Sequence, residues 1–203
     1  MMVTVIGAGL AGCEAAWQIA NRGVKVRLID MKPDKKSPAH KNDNLAELVC
    51  SNSLRADGIT NAVGLLKEEM RLLNSLIMEC ADATKVPAGG ALAVDRDVFS
   101  REITKAIEND ENITLVREEI TEIPEGVTVI VAAGPLMSEA ITKKVSELCG
   151  KGFLSFYDAA APIVTADSID MENAFTQSRY DRGGEDDYIN CPLDKALYEE
   201  FYE

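Results

Sequence analysis

An α/β fold built on a parallel sheet is what the amino-acid sequence predicts, and three observations carry the expectation. The N-terminal run VTVI is continuously apolar and ends in glycines, an alanine-rich stretch at helical spacing follows, and a second apolar run, VKVRLID, begins straight after Asn21, Arg22 and Gly23. Strands buried on both faces read as unbroken apolar runs, and two of them joined by a helix make a right-handed βαβ unit. Leu10, Ala11, Ala15, Ala16, Ile19 and Ala20 form the helix face expected to meet the sheet.

The remaining elements follow from local pattern. Residues 31–44 are a polar loop long enough to be functional, leading to the apolar segment LAELVC and a turn, SNS. Leu65, Leu66, Met70, Leu73, Leu76 and Ile77 recur at helical spacing among Lys67, Glu68, Glu69 and Arg71, which predicts one surface helix packed by its apolar face over about 59–80. VPAGGALAV is a glycine turn into a short strand. In DRDVFSREITKAIEND, Phe99, Ile103 and Ile107 stand at i, i+4, i+8, a helix capped by Asp95 or Asp97. ITLVREE, ITEI and TVIVAAG are three short β-rich runs, and residues 138–149 after Gly134 read as a helix. KGFLSFYDAAAPIV has strand character, and an acidic, turn-rich tail then ends in a short helix, LDKALYEEFYE.

Composition narrows the class. With 203 residues, 46% hydrophobic and 27% charged, the chain can bury a core. No apolar run is long enough for a membrane span and the N-terminus has no signal-peptide pattern, so a cytoplasmic location is expected, with no membrane partner. A net charge of -13 argues against strong nucleic-acid binding by this chain alone. One local exception is MKPDKKSPAHK, where Lys32, Lys35, Lys36 and Lys41 crowd together as either a solvated loop or an RNA-contacting patch. Five scattered cysteines without a C-x-x-C pair, and the lone His40, suggest neither a disulfide framework nor a metal site.

Gly7, Gly9 and Gly12 make G-x-G-x-x-G directly after a strand: a tight turn, close approach of backbone to a pyrophosphate, and close packing of helix on strand. The helix N-terminus then offers free N–H groups and a positive dipole to phosphate. Asp30 ends the second strand, placed to accept hydrogen bonds from a ribose diol, which points to FAD or NAD rather than NADP. Ala8, Leu10 and Ala11 share that loop and Met31 and Lys32 follow the acid, so all of them are candidate cofactor-binding residues in a Rossmann-like domain. The order of later runs resembles the FAD-binding domain of two-dinucleotide flavoproteins of the glutathione-reductase type, with its β-meander. That resemblance puts Glu119 and Ile120 near the adenine and Ala133 and Gly134 near the pyrophosphate or ribityl chain; the alternative is an ordinary strand and turn.

Cys50 precedes Ser51, Asn52 and Ser53, residues that build turns and cap helices. A thiol there is either a buried small apolar residue or a partly exposed nucleophile of the kind that attacks an electron-poor pyrimidine carbon.

VIGAGLAGCEAAWQIANRG, PAHKNDNLAELVCSNSLR, NAVGLLKEEMRLLNS, VPAGGALAVDRDVFS and FYDAAAPIV together resemble the bacterial folate- and FAD-dependent tRNA (uracil-5-)-methyltransferases, relatives of the GidA-type flavoproteins that modify wobble uridine. The match covers nearly the whole chain, and LVCSNSLR and FYDAAAPIV are not general flavoprotein sequences. The resemblance implies that FAD, reduced by NAD(P)H, takes the methylene group of 5,10-methylenetetrahydrofolate to C5 of the tRNA T-loop uridine, giving 5-methyluridine. A thiolate adding to C6 would make C5 nucleophilic, and reduced flavin would supply the electrons that turn methylene into methyl. Gly7, Gly9, Gly12 and Asp30 would hold the ADP part of FAD, Ser51, Asn52 and Ser53 would line the flavin site, and Cys50 matches a cysteine implicated in catalysis, either as that thiolate or as a group that protects or tunes the flavin. Family members continue well past Glu203, so the expected organisation is an FAD-binding domain over 1–158, incomplete, and the beginning of an inserted substrate domain over 159–203. Two rival readings remain at this point: a GidA-type wobble-uridine enzyme, and a nucleotide-binding module inactive by itself.

Overall fold

The structure is a computed structural model and describes residues 2–150, 164–178 and 186–202. Strand β1 (Met2–Ile6) leads into helix α1 (Leu10–Ala20) and strand β2 (Lys25–Asp30), the expected βαβ unit. Strands β6 (Ile113–Arg117) and β7 (Thr128–Val131) complete a four-stranded parallel sheet of order β6-β2-β1-β7. Register pairs Ile6 with Ile29 on one side and with Val131 on the other, so the β1, β2 and β7 ends come level. A smaller antiparallel sheet of order β3-β5-β4 is made by β3 (Ser53–Ala56), β4 (Lys85–Val86) and β5 (Ala91–Val94). The later part of the chain adds a hairpin of β8 (Phe175–Thr176) and β9 (Ile189–Asn190) and the final helix α6 (Lys195–Tyr202), where a short helix was expected.

The core joins Val3, Val5, Val26 and Leu28 of the sheet to Cys13, Ala16 and Ala20 of α1. Small residues on that face let the helix lie close to the strands, which is why Cys13 is fully buried while Ala11, expected inside, is exposed. Helix α4 (Arg96–Asn109) adds Phe99, Ile103 and Ile107, each wholly buried, in the pattern its spacing predicts. Its cap is Asp95, whose carboxylate accepts the Asp97 and Val98 N–H groups at 3.1 and 3.0 Å. Such a cap stabilises a helix by about 1 kcal/mol. Helix α5 (Glu139–Cys149) occupies the stretch expected after Gly134.

Three expectations are corrected. The single helix over 59–80 is two, α2 (Ala62–Leu72) and α3 (Leu76–Ala83). Asn74 turns left-handed at φ 57°, and the Ser75 hydroxyl caps α3 by accepting the Met78 N–H at 3.2 Å, so the apolar period runs straight through a helix break. Leu65, Leu66, Leu72 and Leu73 are exposed, whereas Lys67 is buried and donates to the Ala56 and Val63 carbonyls. Among the described residues the three β-rich runs yield two strands rather than a meander. ITEI stays irregular between an acidic pair and Pro124, while the flanking runs take opposite edges of the parallel sheet. Finally, Ser53 begins strand β3 instead of closing a turn. The strand expected within 151–164 falls mainly on residues 151–163, outside the described residues, as does the expected domain boundary at 158. No helix among the described residues is long and apolar enough to cross a membrane.

Candidate functional site, a cleft over the glycine turn

A cleft of about 280 Å³ opens where β1, β2 and β7 end, the usual place for a ligand beside a parallel sheet. Its floor is the glycine turn. Gly7 holds φ 95°, and a Cβ there would stand 2.5 Å from the Ala133 Cα, so this position admits no side chain. A Cβ on Gly12 would meet the Gly7 carbonyl oxygen at 1.8 Å, which is how α1 gets so close to β1. A Cβ on Gly9, by contrast, would have nothing within 4 Å. The α1 N-terminus carries no side-chain cap and no acid in its first turn. Its leading N–H groups and dipole are therefore available to an anion, and the open space over Gly9 allows a phosphate to approach the backbone.

Asp30, 8% exposed, stitches this turn to the end of β2. Its Oδ2 accepts the Ala8 N–H at 3.1 Å and its Oδ1 the Lys32 N–H at 2.8 Å. A carboxylate offers about four lone-pair sites, so two remain for ligand hydroxyls. Gly7, Ala8, Gly9, Leu10, Ala11, Asp30, Met31, Lys32, Ile120, Ala133 and Gly134 all line the cleft, as does Glu119. Gly12 lies behind it as a packing residue. Lys35, 2.8 Å from Glu119, holds that carboxyl below its ordinary range.

Sequence reasoning missed part of the wall. Pro135, Leu136, Met137 and Ser138 enter from the turn before α5 and Ile141 from its first turn, and His40, Glu47 and Val49 enter from the loop after β2. Glu47 had a signal in the sequence, an acid inside the apolar LAELV. Its carboxylate lies 3.4 Å from Lys32 Nζ, with both side chains almost fully buried. His40 receives the Ser37 N–H on Nδ1 at 3.3 Å, and burial lowers its pKa.

Cys50, Ser51, Asn52 and Ser53 stand outside the cleft wall, one residue beyond Val49. Cys50 is exposed, which removes the core-thiol alternative. The buried thiols are Cys13 and Cys80; burial raises both, Cys80 to about 11. Asn52 clips the segment to β5: its carbonyl accepts the Val94 N–H at 3.0 Å and its Nδ2 donates to the Val94 carbonyl at 3.2 Å. Of the crowded lysines, Lys32, Lys35 and Lys36 are each paired with a carboxylate, which favours a salt-bridged loop over a free RNA patch.

Comparison with known proteins places these features in context. The family model described as Glucose inhibited division protein A matches residues 2–203. A protein of Acetivibrio thermocellus named methylenetetrahydrofolate--tRNA-(uracil-5-)-methyltransferase TrmFO is 63% identical over 201 residues, 98% of this chain and 46% of its own length. Proteins of the same name from Lysinibacillus sphaericus and Anoxybacillus flavithermus are 59% and 58% identical, over 98% and 100% of this chain and 45% and 46% of their own. The chain thus spans about half the length of the curated relatives it matches.

Proposed function

Because the chain belongs to the Glucose inhibited division protein A family, and is 59–63% identical to relatives named for methylating tRNA uracil with methylenetetrahydrofolate, we propose that it is the FAD-holding part of such a methyltransferase. The observation that carries this reading is the uncapped α1 N-terminus facing an open cleft with Asp30 on its rim. The N–H groups of Gly9, Leu10 and Ala11 receive the cofactor's pyrophosphate, and the free lone pairs of Asp30 take its ribose hydroxyls. Met31, Lys32 and Ile120 complete the ADP part of the site, Ala133 and Gly134 stand by the pyrophosphate or ribityl chain, and Ser51, Asn52 and Ser53 belong to the flavin end. When bound, reduced flavin supplies the electron pair that turns a transferred methylene into methyl.

The exposed thiol of Cys50 is the residue of this chain assigned to the uracil: as thiolate it adds to C6, raises the nucleophilicity of C5, and leaves when the C5 proton is lost. The carbon donor is 5,10-methylenetetrahydrofolate, the reductant NAD(P)H, the partner the T loop of tRNA, and the location cytoplasmic. Residues 1–158 form the FAD domain and 159–203 the start of a substrate domain. A flavin spectrum with 5-methyluridine formed on undermodified tRNA upholds the whole reading. Flavin without methylation leaves a nucleotide-binding module, and modification at the wobble position instead gives the GidA-type alternative.

A further inference from the structure

Several contacts bind the segment ahead of Cys50 to the cradle, and none of them is made by a glycine of the motif. Ala46, in the left-handed region at φ 51°, donates its N–H to the Ala8 carbonyl at 2.8 Å. That same carbonyl accepts the Cys13 thiol at 3.3 Å, so the segment is tied to the first turn of α1. Beside this joint, Lys32 Nζ reaches Glu47 and also donates to the Asn44 carbonyl, while the other Glu47 oxygen accepts the Lys41 N–H at 2.8 Å. The pair is 4% and 7% exposed at its side chains, and both residues also line the cleft. A charge so buried is costly unless it is paired, so Glu47 keeps the loop after β2 folded back over the cradle.

We propose that Glu47 is a positioning residue: through Lys32 and Lys41 it clasps residues 41–49 onto the nucleotide cradle, so that filling the cleft fixes the segment that presents Cys50. The second half of this statement rests on the reading of the cleft as the FAD site. A left-handed, non-glycine Ala46 next to the ion pair is a strained position that persists only while its surroundings hold it, as in segments whose order responds to a ligand. Loss of the Glu47 charge leaves Lys32 without its partner and loosens the segment, while the α4 core does not depend on it.

Two arms test this. In the ligand-free protein, Glu47→Gln should speed amide hydrogen exchange in residues 41–49 about tenfold, the Lys41 and Ala46 amides included, with the α4 amides unchanged. With FAD at saturation, alkylation of Cys50 followed by peptide mass spectrometry should slow about fivefold or more in the wild type, as coupled sites do, and less than about twofold in Glu47→Gln. Cys149, also exposed, is the internal control. Unchanged exchange over 41–49 in the variant, or equal protection of Cys50 by FAD in both proteins, overturns the clasp. A wild type that takes up no FAD overturns the cofactor reading instead, and the ligand-free arm still judges the clasp. Should Glu47→Gln fail to fold, Glu47→Asp, which keeps the charge but shortens its reach, takes its place with the same expectations.

Discussion

The cradle around Gly7–Gly12 and the segment around Cys50 meet at one hydrogen bond, Ala46 to Ala8, yet they are held by opposite means. In the cradle, backbone meets backbone: the φ of Gly7, the contact of Gly12 with the Gly7 carbonyl and the Asp30 stitch leave no room for side-chain choice. The Cys50 segment is held from afar, by Lys32, Thr104, Asn52 with Val94, and Arg96 on the Leu48 carbonyl. A region fixed by its own turn geometry is rigid before any ligand arrives. One fixed by distant side chains is open to adjustment by whatever fills the space between them.

Substitutions separate the two kinds of order. The largest effect on the fold is expected from Gly12→Val, whose Cβ would lie 1.8 Å from the Gly7 carbonyl oxygen. Overpacking against backbone should cost about 3 kcal/mol or more, read as a fall in the denaturant midpoint. Asp30→Ala comes next, because it strands two buried N–H groups, those of Ala8 and Lys32. A loss of about 2–4 kcal/mol is expected, together with weaker FAD retention in the complete enzyme.

A smaller effect belongs to Cys80, buried with its pKa raised to about 11 from 9.0. Between those values the unfolded chain has released the proton and the native one has kept it, so stability is full below pH 9 and falls as pH rises toward 11. The share of the slope due to Cys80 is about 1 kcal/mol per pH unit, and Cys80→Ala should remove that share while Cys13, whose buried thiol is also raised, keeps its own. Smallest of all on the fold is Cys50→Ala, an exposed site, expected within about 0.5 kcal/mol of wild type. Under the role proposed for Cys50, methyl transfer in the complete enzyme should nevertheless be lost or the stability of the bound flavin altered; unchanged turnover and flavin stability would return Cys50 to the status of an ordinary surface thiol.

The same contrast explains what the sequence makes legible. The βαβ unit, the three glycines, Asp30 and the Phe99–Ile103–Ile107 face are each announced within a few residues, because local turn chemistry and periodicity decide them. Glu47, Val49 and His40 go unseen because their place in the cleft depends on how a loop folds back over residues far away in sequence. The break between α2 and α3 is hidden for another reason: Asn74 and Ser75 end one helix and start another inside an uninterrupted apolar period, and a left-handed asparagine with a serine cap outweighs periodicity. Cys50 is the intermediate case, singled out by its neighbours in sequence, with its exposure visible only in the structure.

The most direct test of the central claim is an FAD titration of Gly9→Val, preferably in the complete enzyme, beside a thermal melt. Gly9 has open space where a side chain would go, so the melt should match wild type while FAD affinity falls tenfold or more, about 1.4 kcal/mol. An FAD affinity equal to that of the wild type, with the valine standing over the turn, would contradict the assignment of this cleft to the dinucleotide.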